Sequence, residues 1–244
     1  VMERELMQEL GFRSSVDGAQ DHDIILRAVD RMMGEDRHAA RRAKLPVAHI
    51  PKVLYHWRCY EGSTSENPES KRYAYEAGKR AVEDFLKARE YQADVVHTCH
   101  LGFFRVNYQP DLLSNRPDVA VVGGKLIDRH NRVVGGIYNE NREPLYLGLH
   151  REYSGYMHRA SCQQEAYAVD VRCMICSGEA QTVWEELTGL PYAVQPHTGY
   201  FLYQDVLKKD ADYEELSFRF CEELRRRGKR IVWDPEMVQR VDGR

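Results

Sequence analysis

The chain has no long hydrophobic run, no surplus of basic charge and no regular cysteine framework. No stretch approaches the about 18–20 apolar residues that a membrane-spanning helix requires, so no membrane span is expected. The formal net charge of the 244 residues is −3, which gives no electrostatic reason to expect nucleic-acid binding. The N-terminus also lacks an apolar signal-peptide core. We therefore predict a cytoplasmic location, with peripheral membrane attachment as the alternative.

The six cysteines are scattered along the sequence, and reduced thiols are the default for such a pattern. Cys173 and Cys176 form a C-x-x-C within residues 166–176, which are predicted to be a strand. Residues three apart on a strand face opposite sides of the sheet, which argues against a shared metal ion or a disulfide bond. Because no second C-x-x-C or paired histidine is present, no metal ligand is predicted in this chain.

The remaining composition is that of a globular α/β protein. Apolar residues make up 43% and charged residues 30% of a length that suffices for one large domain or two small ones. We divide the chain into two segments, 1–92 and 93–244. Hydrophobic periodicity and turn residues predict helices within 1–33 and at 68–89, 181–187 and 213–227, and strands at 47–58, 95–98, 102–108, 119–127, 133–138, 166–176 and 230–234.

Two parts of the sequence share one layout, which indicates a weak internal repeat. Residues 9–51 and residues 186–235 each contain a helix, a glycine turn, a second helix led by an acidic residue and carrying an arginine, and a strand that ends in proline. A duplication explains the match. The alternative is chance, because this arrangement is common and the spacing within the two parts differs.

The first part resembles the C-terminal, acceptor-side half of family-2 glycosyltransferases. These enzymes have the GT-A fold and build bacterial cell-surface polysaccharides. The resemblance implies a GT-A-like partial mixed sheet with flanking helices. It rests on four stretches in the same order: Gly11-Phe12-Arg13, Gly18-Ala19-Gln20-Asp21-His22-Asp23-Ile24-Ile25-Leu26-Arg27, Ala48-His49-Ile50-Pro51-Lys52-Val53-Leu54-Tyr55-His56-Trp57-Arg58 and Gly62-Ser63-Thr64.

Residues 119–136 together with 215–235 resemble the same half of the family and form a second, more divergent copy of it. The family also has a nucleotide-binding region that ends in an Asp-x-Asp, which holds a divalent metal and the donor diphosphate. The strings Asp21-His22-Asp23 and Asp210-Ala211-Asp212 stand in the wrong context for that motif. We therefore expect the nucleotide-binding half to be missing and the isolated chain to be inactive and to bind no cofactor, whereas a complete enzyme would use Mn²⁺ or Mg²⁺.

The resemblance makes Asp21 the candidate catalytic base, with Asp23 as its neighbour. Inverting sugar transfer needs a group that takes the proton from the acceptor hydroxyl, and the start of a helix favours an ionised carboxylate. The alternative is that aspartate at this position only caps the helix.

The resemblance also makes His56, Trp57, Arg58 and Ser63 candidate substrate-binding residues. In the family this region closes over the donor, and cationic groups there balance the leaving diphosphate. The alternative is that Trp57 is a core residue and that His56 and Arg58 pair with surface carboxylates.

The resemblance thus predicts transfer of a sugar from a nucleotide sugar to a cell-surface polysaccharide in bacteria. The nucleotide sugar and the glycan acceptor would be the partners of a complete enzyme, and a homo-oligomer is a further arrangement considered. The alternative function is a non-catalytic interaction or carbohydrate-binding module derived from transferase halves.

Overall fold

The computed structural model describes residues 2–34, 47–48, 50–56, 72–193 and 212–241. The chain is a mixed α/β protein that divides into two units, Val1–Asp111 and Leu112–Arg244. The boundary lies further along the chain than the junction of the two sequence segments at residues 92 and 93. No helix among the described residues is long and apolar enough to cross a bilayer.

The described residues of the first unit form three helices and a β-hairpin. The strands of the hairpin pair in antiparallel fashion, and the first of them contacts the third helix. The predicted helix–loop–helix at the N-terminus, the long helix and the two following strands are confirmed. Their bounds are α1 Arg4–Leu10, α2 Gln20–Met33, α3 Arg72–Ala88, β1 Ala93–His97 and β2 Phe104–Tyr108, with a 3-10 turn at Ser14–Val16.

Small side chains let α2, its preceding loop and α3 approach each other closely. Ala77 and Ala81 of α3 are buried in a cluster with Val16 and Ala19 of the loop. Gly18 has a φ of +94°, and a Cβ at this position would lie 2.8 Å from the Tyr73 ring. Glycine is therefore required at this point of the loop, both for its backbone conformation and for its contact with α3.

The predicted strand at 47–58 is wrong for the part of it that the structure describes. Residues 47–48 and 50–56 form no strand, and large apolar side chains such as Val53 and Leu54 are exposed by 78% and 69%. The apolar composition suits a strand, but no strand among the described residues pairs with this stretch, and Pro51 has no N–H to donate. Trp57 and Arg58, also part of that prediction, lie outside the described residues.

The second unit is built around a mixed sheet. Its strands lie in the order β4-β3-β9-β6, with β8 also paired to β3, and β5 and β7 form a separate antiparallel pair. Strands β3 and β9 are parallel, whereas the other pairs of the sheet are antiparallel. The bounds are α4 Leu112–Asn115, β3 Val119–Ile127, β4 Val133–Gly135, β5 Ile137–Tyr138, β6 Gln164–Ala166, β7 Ala168–Val169, β8 Met174–Cys176, α5 Gly178–Thr188, α6 Tyr213–Arg226 and β9 Arg230–Arg240.

The sheet of the second unit supports the main hydrophobic core. Every residue of β3 is buried, which is typical of a strand covered on both faces. Helices α5 and α6 contribute large buried side chains to the core, and Trp184 and Phe220 meet edge to face with ring centroids 5.6 Å apart. The predicted strands at 119–127 and 230–234 and both predicted helices are confirmed, although β9 continues past Pro235. The predicted strand at 133–138 is interrupted at Gly136, so that β4 pairs with β3 and β5 with β7.

The predicted continuous strand at 166–176 is wrong, because a turn interrupts it between β7 and β8. The carboxylate of Asp170 accepts the backbone N–H of Arg172 at 3.0 Å, and the backbone N–H of Cys173 donates to the Asp170 carbonyl at 3.1 Å. Cys173 and Cys176 are nevertheless buried in different clusters and are free thiols. Burial raises the pKa of the Cys173 thiol to about 12, which further disfavours a metal-binding thiolate.

The glycine pairs 123–124 and 135–136 serve close packing. They lack the spacing of a phosphate-binding loop. A Cβ on Gly123 would overlap the Val169 side chain, and one on Gly136 would overlap the carbonyl oxygen of Gly124. Because Gly136 also has a φ of +117°, a larger residue is excluded there by both conformation and space.

We expect Gly136→Ala to lower the free energy of unfolding of the second unit by about 1–3 kcal/mol, because the methyl group has no space and the backbone is strained. Gly135→Ala is the matched control, since its Cβ would lie 3.5 Å from Leu126 in ordinary contact. Urea unfolding followed by the fluorescence of the buried Trp184 and Trp233 measures both. Equal unfolding midpoints for the two variants would contradict this interpretation of the glycine pair.

Candidate functional site

A groove lies at the start of α2, where that helix meets α3 and the turn and second strand of the hairpin. It belongs entirely to the first unit and has a volume of about 240 Å³. The described residues that line it are small, aromatic or acidic, and none of them is lysine or arginine: Gly18, Ala19, Asp21, His22, Ala74, Tyr75, Gly78, Gly102 and Phe104.

Asp21 places an exposed carboxylate at the edge of this groove. It lies in the first turn of α2, where the positive end of the helix dipole favours a negative charge. The N-cap of α2 is Ala19, which makes no side-chain cap bond. The Asp21 side chain accepts the N–H of His22 at 2.8 Å through one oxygen, Oδ1. Asp21 is therefore not the N-cap, although it does bind one amide of the first turn.

Asp23 has the opposite environment, because it is 1% exposed and paired with two arginines. Arg13 and Arg27 both bind the carboxylate, and Arg27 Nε lies 2.8 Å from its Oδ2. The same Arg27 guanidinium donates to the carbonyl oxygens of Leu10 and Gly11 at 2.7 and 2.6 Å. The network joins the end of α1, the following loop and α2.

The charge state of Asp23 follows from this network. Burial raises the pKa of Asp23, but the hydrogen bonds and charges of Arg13 and Arg27 outweigh burial and hold that pKa below its usual range. A carboxylate that is buried, ionised and occupied by two guanidinium groups is poorly suited to meet a substrate. Its geometry fits a support for Asp21, the exposed member of the motif.

Three aromatic rings are arranged along the groove and beside it. The rings of His22 and Phe104 are nearly parallel, with an angle of 8° and centroids 6.3 Å apart. His97 packs on Phe104 at a centroid distance of 5.4 Å, and its Nε2 lies 2.9 Å from a carboxylate oxygen of Glu76. The hairpin side of the groove is thus held to α3 by a polar contact as well as by ring packing.

Gly78 of α3 leaves room between these rings. A Cβ at this position would lie 3.2 Å from the Phe104 ring and 3.6 Å from Nδ1 of His22. A glycine inside a helix costs about 1 kcal/mol relative to alanine, so its presence points to a packing or functional reason. Here it lets the Phe104 ring pack directly against α3.

The structure separates the six residues that the sequence proposes for the site. Asp21 lines the groove, and Asp23 is buried in the ion-pair network. His56 lies in an exposed irregular stretch and is not among the residues that line the groove. The remaining three, Trp57, Arg58 and Ser63, lie outside the described residues.

Sequence reasoning missed the wall of the groove that comes from α3 and the hairpin. Tyr75 and Phe104 lie far from Asp21 in the sequence and belong to no motif that includes it. The interior glycine of α3, Gly78, is the one local signal that could have directed attention to this helix.

The described residues contain no group of three or more His, Cys, Asp or Glu side chains placed to hold a metal ion. In particular, Asp21-His22-Asp23 does not act as a chelating pair, because Asp23 is directed to two arginines. The use of Mn²⁺ or Mg²⁺ by a complete enzyme stays a prediction.

Comparison with known proteins gives one informative similarity. No family model and no solved structure matches the chain. Over 87 residues the chain is 40% identical to a protein of Sinorhizobium fredii (strain NBRC 101917 / NGR234) named "Uncharacterized protein y4gI". The match covers 35% of this chain and 8% of that relative, so the relative is much longer and the chain spans only a small part of its length. The name of the relative states no activity.

We expect Asp23→Asn to lower the free energy of unfolding of the first unit by about 3 kcal/mol, because two guanidinium groups lose their buried counter-charge. Asp21→Asn is the matched control two residues away, and as an exposed substitution it should change that free energy by less than about 0.5 kcal/mol. Denaturant unfolding followed by far-ultraviolet circular dichroism measures both. An unchanged free energy of unfolding in Asp23→Asn would show that the network contributes nothing to stability.

The stabilisation by Asp23 should also depend on pH with a defined sign. Because its pKa is lowered in the folded state, the contribution is full above the unfolded value of about 3.9 and is lost as the pH falls through the lower folded value. The difference in stability between the wild type and Asp23→Asn should therefore be constant near neutral pH and shrink below about pH 4. A difference that grows on acidification would contradict the lowered pKa.

Proposed function

We propose that this chain contributes the acceptor side of a family-2-type glycosyltransferase and that Asp21 takes the proton from the acceptor hydroxyl. One observation carries the proposal above the others. The first carboxylate of the Asp21-His22-Asp23 string is exposed at the edge of a groove, while the second is buried and neutralised by arginines. The string therefore presents one carboxylate to a ligand and uses the other to hold the helix in place.

The chemistry of inverting transfer suits this arrangement. The acceptor oxygen forms a bond to the anomeric carbon of the donor sugar as its proton passes to the Asp21 carboxylate. The bond from that carbon to the diphosphate breaks, and the diphosphate leaves with the electron pair. A base positioned in this way contributes about 10²–10⁴-fold to a rate.

The size and charge of the groove favour an acceptor over a nucleotide sugar. Its volume of about 240 Å³ lies below the range of about 300–1,000 Å³ that is typical of sites for drug-sized ligands. A nucleoside diphosphate sugar is at least as large as such a ligand. A diphosphate also calls for cationic groups, and none of the described residues that line the groove is lysine or arginine. In this proposal the donor binds to another, nucleotide-binding region.

The ion-pair network supports the proposed base through its position. Asp23 lies in the same helical turn as Asp21, and its bonds to Arg13 and Arg27 fix the start of α2 against the preceding loop. A catalytic group that is held by a rigid element meets its substrate with less loss of entropy.

The decisive test is Asp21→Asn introduced into the native gene, so that the protein is made at its natural length. The amide keeps the shape of the carboxylate but cannot accept the proton. We expect the rate of formation of the surface polysaccharide product to fall by about 10²-fold or more. Glycosyl composition and linkage analysis of the cell-surface polysaccharide measures the product.

Asp94→Asn serves as the control, because Asp94 is an exposed carboxylate of the same unit that does not line the groove. Unchanged polysaccharide in the Asp21→Asn strain would overturn the proposal and favour a module that binds carbohydrate without turnover. A thermal-shift measurement on this chain with uridine and thymidine diphosphate sugars and Mn²⁺ is the second arm. A rise in the melting temperature that depends on the nucleotide sugar would contradict the expectation that this chain has no donor site.

A further inference from the structure

The wall of the groove opposite the motif carries chemistry that the proposed base does not use. Phe104 of β2 presents its ring to the groove, nearly parallel to that of His22, and Tyr75 of α3 also lines the cavity. Aromatic faces beside a carboxylate are the groups that bind a sugar ring, since the C–H face of the ring packs on the aromatic surface and its hydroxyls reach the polar group. Neither Phe104 nor Tyr75 belongs to the transferase-like motif.

We infer that the β1–β2 hairpin forms part of the acceptor site, with Phe104 as the platform on which one neutral hexopyranose ring of the acceptor stacks. The sugar lies in the groove beside the Phe104 ring, with a hydroxyl directed at Asp21. The identification of this sugar as an acceptor rests on the proposed function, whereas the binding of a saccharide ring does not.

Space limits the ligand to a single ring at a time. The groove of about 240 Å³ is too small for a drug-sized ligand. A methyl group on Gly78 would stand 3.2 Å from the Phe104 ring, closer than side chains normally pack, so the position of this ring in the groove depends on the glycine.

Charge selects a neutral sugar over a phosphorylated or acidic one. Asp21 places a carboxylate at the groove, and no lysine or arginine is among the described residues that line it. An anionic ligand would meet a carboxylate without a fixed counter-charge, which opposes binding. A nucleotide that stacks its base on Phe104 would carry its phosphate into the same unfavourable field.

The platform is preorganised. His97 packs against Phe104 at 59°, and its Nε2 is 2.9 Å from Glu76 of α3. Position 104 is thereby tied to the helix that also supplies Gly78 and Tyr75. A rigid aromatic platform binds a ring with little loss of side-chain entropy.

Saturation-transfer NMR and titration of the full chain with methyl glycosides of glucose, galactose and mannose test the inference, with uridine monophosphate as the competing ligand. We expect at least one glycoside to bind and uridine monophosphate not to bind. Phe104→Leu should raise the dissociation constant by about fivefold or more, because the stacking face is lost.

Gly78→Ala should weaken binding by about fivefold or more, because the methyl group displaces the Phe104 ring, while the helix itself is not weakened, since alanine is the better helix former. Tyr108→Leu is the matched control on the same strand. Tyr108 packs edge to face on Tyr91 and does not line the groove, so its replacement should leave the dissociation constant within about twofold.

Failure of binding by every glycoside, or an unchanged affinity in both Phe104→Leu and Gly78→Ala, overturns the inference. Tighter binding of uridine monophosphate than of any glycoside also overturns it. If saccharide binding depends on Phe104 but the polysaccharide of the Asp21→Asn strain is unchanged, the proposed transfer is contradicted and the sugar site is supported. If the Asp21→Asn strain loses the product but no glycoside binds to the chain, only the sugar platform is contradicted.

Discussion

The buried carboxylate of Asp23 sets the geometry of the first unit. A charge removed from water needs partners, and here two guanidinium groups supply them. The stabilisation is shared with the backbone, because Arg27 also binds the last carbonyls around the end of α1. Since α1 has no fully buried residue, its attachment relies in part on these polar bonds and on the ion pair between Arg31 and Glu9. The placement of α2, and with it the start of the groove, follows from the same contacts.

The repeat in the sequence does not extend to these interactions. In α6 the first turn is closed by a true N-cap, where Asp212 accepts the N–H of Glu215 at 3.0 Å. In the weak repeat, Glu215 of α6 takes the place of Asp23 of α2. Glu215 is exposed and binds Arg142, whereas Asp23 binds Arg27, four residues further along its own helix. The capping role proposed for aspartate as an alternative is therefore realised in the second unit, whereas the first unit uses a buried ion pair. A shared layout has been stabilised in two different ways.

Local pattern was sufficient for most helices and for the strands whose partners lie in the described residues. Hydrophobic periodicity located α2, α3 and α6, and the continuous apolar run 119–127 matched β3. The local pattern was misleading at 47–56, where no strand of the described residues pairs with the apolar stretch. It was also misleading at Asp170, whose side chain favours a turn over continued strand pairing. The wall of the groove was out of reach for a related reason. Phe104 meets His22 only because α3 and the hairpin fold against α2, and such contacts leave no local trace except the glycine at 78.

The spacing of the two aspartates explains how one short string combines a buried carboxylate with an exposed one. Residues two apart on an α-helix differ by about 200° around its axis, so Asp21 and Asp23 cannot share a face. Once Arg13 and Arg27 hold Asp23 inside the unit, Asp21 is turned outward at the positive end of the helix. An Asp-x-Asp that chelates a metal needs both carboxylates on one ion, which this geometry prevents. The same three residues that suggest a metal motif in the sequence thus present a single, exposed carboxylate beside an aromatic groove.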